Sequence, residues 1–452
     1  MTATGTRERT TDWFDLNARG TTPAREIQAG VTTFAAMAYI LAVNPGVLAD
    51  AGMPRPALVT VTALSAALAT SIMALLANYP LAMAPGMGIN AFFTYTICVG
   101  ARIPWQQALG MVCVNGLVFL LLSLSGVRER IVRALPVSLT QAITGGIGLF
   151  IAFIGLRNGG LVVDSPATLV THGDFTAGGA VLCLFGLATT AILVARRVRG
   201  AIVLGIVVAT LAGLAVPDGG GGRLTALPGT LMSLPASPAP VVLQLDFGFL
   251  RSSETFFRVL PLILTLLLVD MFDNIGTLVG VARRAGLLDA DGNLPRVGRV
   301  LVADSLAAIL SALLGTSTVV SYVESASGVE AGGRTGLTGL TTAACFLLAL
   351  FFTPLILAVP AAATAPALII VGVFMLQAVA EIRMQDVVTA VPAVLTLLGI
   401  PLLFSVADGI GLGLIASAVL ALGSGRPREL TIAGYAIAAV FLLQFFKVFP
   451  FG

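Results

Sequence analysis

Three carboxylates stand where a hydrophobic chain tolerates them least. Asp270 and Asp273 interrupt an apolar run from Phe256 to Val281, inside Leu266–Gly280, LLLVDMFDNIGTLVG. Glu324 sits in Thr316–Thr335, TSTVVSYVESASGVEAGGRT. Asp270 and Asp273 are three residues apart, so on a helix they share one face. An Asp at mid-bilayer costs on the order of 2.5–3.5 kcal/mol on insertion scales. Such residues must face protein or a water-filled cavity. There they accept hydrogen bonds from N–H groups and exchange protons with whichever side they are exposed to. The spacing therefore predicts a site near the bilayer midplane where Asp270, Asp273 and Glu324 meet, each a candidate for proton coupling.

Composition sets the surroundings of that site. The 452 residues are 57% hydrophobic and only 10% charged, with a mean hydropathy of +0.99. Soluble domains carry roughly 25% charged residues, so the chain reads as an all-α polytopic membrane protein with the lipid bilayer as its surroundings. Basic residues occur in twos and threes at span ends without aromatic interleaving, which excludes nucleic acid as a partner. Cys98, Cys113, Cys183 and Cys345 show no CxxC spacing, and the single histidine, His172, falls in a loop. No metal site, disulfide framework or cofactor is expected. Absence of GxSxG and P-loop motifs argues against an enzyme, and the grouping of carboxylates in two broken stretches rather than a ring argues against a channel. The polar N-terminus lacks the pattern of a signal peptide, so the first span is expected to act as its own insertion signal.

Fourteen apolar segments can be marked: about 28–48, 57–79, 81–100, 104–125, 137–156, 176–195 and 200–216, then 255–281, 298–315, 318–332, 336–358, 362–379, 384–404 and 406–423. A Gly/Pro-rich connector, Pro217–Asp246, divides them, and Thr431–Phe449 is either an interfacial helix or a further span. With the N-terminus inside, 18 arginines fall in inner loops and 6 in outer loops, as the positive-inside rule requires. Seven plus seven spans, an odd number per half, predict inverted repeats. The third segment of each half is broken at its start. Tyr79–Gly88 carries Pro80, Pro85, Gly86 and Gly88, and Gly315–Tyr322 is rich in Ser, Thr and Val. A short extended strand followed by a half-helix is expected in segments 3 and 10, because interrupted spans at matching positions mark a midplane site. Asp304 and Asp408 are expected near span ends in structural roles.

These stretches also carry a family resemblance. Segment 1 with MAYILAVNPGVLADAGM, segment 3 with NAFFTYT, DMFDNIGTLVGVARRAGLL, and GTSTVVSYVESASGVEAGGRTGLT resemble the AzgA-like purine permeases of the nucleobase–cation symporter group, which includes the uracil permeases. The resemblance spans about Gly20 to Arg428. It implies a core domain (28–125 and 255–358) moving against a gate domain (126–216 and 359–424), with a cytoplasmic tail at 1–27, a connector at 217–254 and a C-terminal segment at 425–452. It implies proton-coupled import of hypoxanthine, guanine or adenine across the plasma membrane, with a homodimer formed through the gate domains. Asp273 and Glu324 resemble the two acids that grip the base, and Asn90 a polar position of the purine branch. Asp273 and Thr277 depart from the Glu and His of the uracil branch. Phe92, Phe272 and Tyr322 are candidates to cover the face of the ring, with Met87 and Thr277 as further contacts. Open alternatives are an ion pair of Glu324 with Arg334, helix capping by Asn90, a structural role for Asp270, sodium coupling, and the same fold carrying xanthine, urate, uracil or an anion.

Overall fold

The computed structural model describes residues 13–125, 136–284 and 295–446; within 271–284 the side chains at 272, 273, 275, 276, 279, 280 and 282–284 lie outside the description. The first span is two helices, α1 (Pro23–Met37) and α2 (Ile40–Ala49), joined at Ala38–Tyr39. Next come α3 (Arg55–Ala77), strand β1 (Met83–Pro85) and α4 (Met87–Ala91). α4 widens into a π-helix, Phe92–Gly100, and is followed by α5 (Trp105–Leu124) and α6 (Val137–Asn158). A hairpin of β2 (Val162–Ser165) and β3 (Leu169–His172) leads to α7 (Gly178–Ala195) and α8 (Ala201–Gly213). After the connector come α9 (Ser253–Arg284), α10 (Val297–Leu314), β4 (Val319–Ser321) and α11 (Ser325–Glu330). α12 (Gly336–Ala349) and α13 (Thr353–Leu357) form one span, and α14 (Ala361–Leu376), α15 (Val387–Leu402), α16 (Val406–Gly423) and α17 (Ile432–Phe445) complete the chain.

Among the described residues, nine helices are long and apolar enough to cross a bilayer. α9 adds 32 residues. The chain is an integral multi-pass membrane protein. α17 has 14 residues, short of the roughly 20 that a perpendicular span needs.

Both expected breaks are present, and they meet. β1 and β4 pair antiparallel, with Met83 opposite Ser321, Ala84 opposite Val320 and Pro85 opposite Val319. The ladder continues beyond both ends, since Gly86 N donates to Thr318 O at 3.0 Å and Tyr322 N to Ala82 O at 2.9 Å. Flanking side chains take the remaining backbone groups. Met83 N donates to the Thr70 hydroxyl at 2.9 Å and Ala82 N to the Ser325 hydroxyl at 2.9 Å. Gly315 turns α10 into this strand with φ +86°, and a Cβ there would stand 2.7 Å from the Val241 carbonyl carbon. Both facts call for glycine.

Two faces are defined by what covers the helix ends. The connector lies over one: Ala236 O accepts from Thr60 at 2.9 Å, Asp246 N donates to Gln106 O at 3.0 Å, and Leu243 N to Leu313 O at 2.8 Å. On the other, Arg19 donates to Asn78 O and Arg334 O at 3.0 and 2.8 Å, and Tyr79 to Pro295 O at 2.5 Å.

The structure adds features that the apolar pattern does not announce. The β2–β3 hairpin lies between segments 5 and 6, and much of segment 3 is π-helical. Asp304 differs from its expected place. It lies inside α10, 2% exposed, because a polar partner awaits it there. Asp408 sits in the first turn of α16, its N–H donating to the Ser405 cap at 3.2 Å.

Glu26, in the first turn of α1 and fully buried, holds the start of α12. One oxygen accepts from Arg334 N at 2.9 Å, the other from Thr335 Oγ1 and Thr338 Oγ1 at 2.8 and 2.6 Å. Removing the acceptor leaves buried donors unmatched, at about 1–3 kcal/mol each. Glu26→Ala is therefore expected to lower the midpoint of thermal unfolding in detergent by several degrees, with Glu26→Gln intermediate. An unchanged midpoint for Glu26→Ala would show that the contact carries no stability.

Candidate functional site

A cavity of ≈ 440 Å³ opens where the two strand–helix units cross. Its polar side is built by Tyr39, Thr277, Tyr322 and Glu324, with Met87 and the backbone at Gly86 and Gly88; its opposite side is Val371 and Met375 of α14. The chain turns from β4 into α11 at Tyr322–Glu324. Tyr322, 5% exposed, donates its hydroxyl to Pro85 O at 2.5 Å and so ties the end of β4 to the end of β1. Glu324 caps α11 in helical conformation, and its Oε1 accepts from the Tyr39 hydroxyl at 2.7 Å. Tyr39 is placed by the break between α1 and α2, which swings its ring inward; it is 3% exposed.

Four of the candidates from the sequence thus line one cavity: Met87, Thr277, Tyr322 and Glu324. Arg334 is engaged elsewhere, its guanidinium donating to Val329 O and Gly333 O, both at 2.7 Å. Asn90 lies one layer behind the wall, fully buried. Its Oδ1 accepts from the Ser317 hydroxyl, and it fastens α4 to the segment entering β4. The N-cap of α4 is Gly86. Phe92 is fully buried in the packed interior. Asp270, 1% exposed, accepts from Asn115 Nδ2 of α5 at 3.0 Å and is absent from the cavity wall. Asp273 and Phe272 are on α9, and their side chains lie outside the described residues.

Sequence reasoning passes over two contributors. Tyr39 stands in the quoted segment-1 stretch, but nothing in an apolar run marks one tyrosine as a carboxylate's partner. Asn274 follows Asp273 directly and forms a crossbar. Its Oδ1 accepts from Ser321 N at 3.0 Å, and its Nδ2 donates to Asp304 Oδ1. One buried amide thereby joins α9, α10 and β4.

A larger crevice of ≈ 1120 Å³ shares Tyr39 with this cavity. Its other walls, among them Phe34, Ile206 and Leu348, are almost wholly apolar, the wrong lining for a ligand with polar edges.

The chain matches the Permease family, Xan_ur_permease, over residues 24–412. It belongs to this family. It is 39% identical to the adenine permease AdeP of Escherichia coli over 431 residues, 95% of this chain and 94% of that one. It is 41% identical to the guanine/hypoxanthine permease PbuG of Bacillus subtilis over 443 residues, 96% and 98% of the two chains. Among solved structures, the transmembrane domain of the cyanobacterial bicarbonate transporter BicA superposes with a TM-score of 0.63 at 16% identity, covering 87% of this chain and 97% of that one. At that identity the likeness is one of fold. The relatives are permeases, and the chain is a transporter rather than an enzyme.

The crossbar yields a test. Asn274→Ala strands the Ser321 N–H and removes a donor to Asp304, and Asn274→Asp sets a second carboxylate against the first. Both are expected to lower the unfolding midpoint in detergent, Asn274→Asp the more. Equal midpoints for all three proteins would show that the amide is not structural.

Proposed function

We propose that this permease imports purine nucleobases, with hypoxanthine and guanine foremost and adenine as a third substrate, in symport with protons. The observation that carries the reading is the cavity at the strand crossing, where Glu324 and Tyr39 face an apolar wall beside Met87, Thr277 and Tyr322. A purine base is flat, with an edge of alternating donors and acceptors. A carboxylate accepts from ring N–H groups, a tyrosine hydroxyl serves either role, and ring and thioether surfaces cover the π-face. The printed names of the relatives, adenine permease and guanine/hypoxanthine permease, point to the same ligand class.

In this reading Glu324 and Asp273, which stands four residues before Thr277 in the sequence, grip the edges of the base. Asn90 keeps α4 in place, and Phe272 and Phe92 supply apolar surroundings. Glu324, Asp273 or Asp270 takes the coupling proton. A protonated, loaded site crosses the low-dielectric layer at smaller cost than a charged, empty one. The proposed moving body comprises residues 28–125 and 255–358, and the stationary one 126–216 and 359–424. The halves correspond as seven-plus-seven inverted repeats with β1 and β4 at matching places. The arginine asymmetry supports a cytoplasmic N-terminus in the plasma membrane, with inner positions covered by the face that carries Arg19 and Arg334. A homodimer through the stationary bodies completes the proposal.

The test is uptake of labelled hypoxanthine in cells lacking their own purine permeases. Competition by guanine and adenine but not uracil, and loss of uptake with a protonophore, are expected. Uptake indifferent to the proton gradient would sink the symport assignment. Glu324→Gln is expected to abolish uptake. Tyr39→Phe is expected to reduce it about tenfold, the worth of one hydrogen bond to a charged group. Wild-type uptake by Glu324→Gln at equal expression would remove Glu324 from the site.

A further inference from the structure

Two helix faces leave the central cavity and continue past it. On the first, Tyr39 lines the central cavity, while Val43, Val47 and Asp50, three to four residues apart along α2, line a second one. On α14, Met375 and Val371 line the first, and Leu368, Thr364 and Ala361 the second. Residues at that spacing form one stripe of a helix. The two cavities therefore lie in series along a single seam between α2 and α14. The second is nearer the connector face, where α2 ends and α3 begins. It has ≈ 770 Å³ of open space.

Polar groups line it beside the apolar part of the seam. Asp50, Arg55, Asn158 and Thr364 all line it. Asp50 Oδ2 accepts from the Tyr95 hydroxyl at 2.6 Å, leaving Oδ1 as a further acceptor position. Arg55 Nη2 donates to Val359 O at 3.0 Å, and its Nε is buried without a hydrogen-bond partner. Between these polar groups and the central cavity stand Val43, Leu368 and Val371, an apolar step.

We infer that this second cavity is a transit site. It holds a planar heterocycle with donor and acceptor edges on the connector side before the step at Val43 and Leu368 parts. This rests on the purine-uptake reading above. Asp50 accepts from a ring N–H, Arg55 and Asn158 donate to ring nitrogens or a carbonyl, and Thr364 serves either role. Exchanging hydration for these groups in two stages lowers the cost of shedding it all at the apolar step.

The test compares the KM for hypoxanthine uptake in cells with the Kd for hypoxanthine of the purified full-length protein in detergent. Asp50→Asn and Thr364→Val are expected to raise KM about tenfold with Kd changed less than about twofold. Thr364→Trp fills the cavity and is expected to block uptake while Kd is kept, since the central site needs no residue at 364. Glu324→Gln, by contrast, loses both. Unchanged KM in Asp50→Asn and Thr364→Val, or normal uptake by Thr364→Trp, would overturn the transit site. So would KM and Kd rising by the same factor, which would make the cavity part of the central site or of the fold. Failure of the wild-type protein to bind or take up any purine would instead bring down the purine reading itself.

Discussion

Everything at the candidate site hangs on the backbone pairing of β1 with β4. Extended chain inside a bilayer leaves its N–H and C=O groups without water, at several kcal/mol for each group left unmatched. Neither strand could exist there alone. Crossing them antiparallel satisfies both, and the Thr70 and Ser325 hydroxyls satisfy the ends. Because the two strands share this ladder, backbone hydrogen bonds hold the two broken spans together. The residues they carry into the cavity, Met87 from one and Tyr322 and Glu324 from the other, keep a fixed relation.

The buried carboxylates show why burial alone does not name a functional acid. Glu26 accepts from backbone and hydroxyl donors at a helix start, and Asp304 from the crossbar of Asn274. Asp270 accepts from Asn115. Glu324 differs in place rather than in partner type, because it alone of these four stands on the cavity wall. Its described side-chain contact is a neutral hydroxyl. A neutral donor steadies a carboxylate without cancelling its charge, whereas an arginine would cancel it and hold it ionised. Arg334, ten residues on, is turned to backbone carbonyls instead.

What could be read from the sequence follows from the same physics. The positions of the long apolar runs agree with the elements from α1 to α16, and nine of the described helices are long and apolar enough to cross a bilayer. The breaks were legible because Pro80, Pro85 and Gly86 disfavour regular helix, and because Thr316–Val320 is β-branched or small. The π-helix at Phe92–Gly100 was not, since its composition is that of any apolar helix. Nor were Tyr39 and the Asn274 crossbar, whose partners lie 285 and 47 residues away along the chain. Only the fold sets such distances. Asp304 was misplaced toward a span end for the same reason, because its partner Asn274 is 30 residues away on another helix.

The apolar wall of the cavity bears on the proposed carriage of a site with bound ligand across the membrane. Val371 and Met375 face the polar groups from α14, and α14 packs on α6 at a glycine contact. A Cβ on Gly148 would stand 2.7 Å from Gly372 O, so these two backbones touch, and close backbone packing makes a stiff pair. All the polar groups described in the cavity belong to the strand–helix units, α9 and Tyr39. Displacing those units along α14 breaks no hydrogen bond at the cavity, because α14 offers none there. Dispersion contacts of about 0.1–0.2 kcal/mol per atom pair can be exchanged for equivalent ones as surfaces slide, whereas a ligand gripped from both sides would lose its polar contacts with each displacement. One-sided polarity against a stiff apolar rail is thus the arrangement that the proposed rigid-body movement requires.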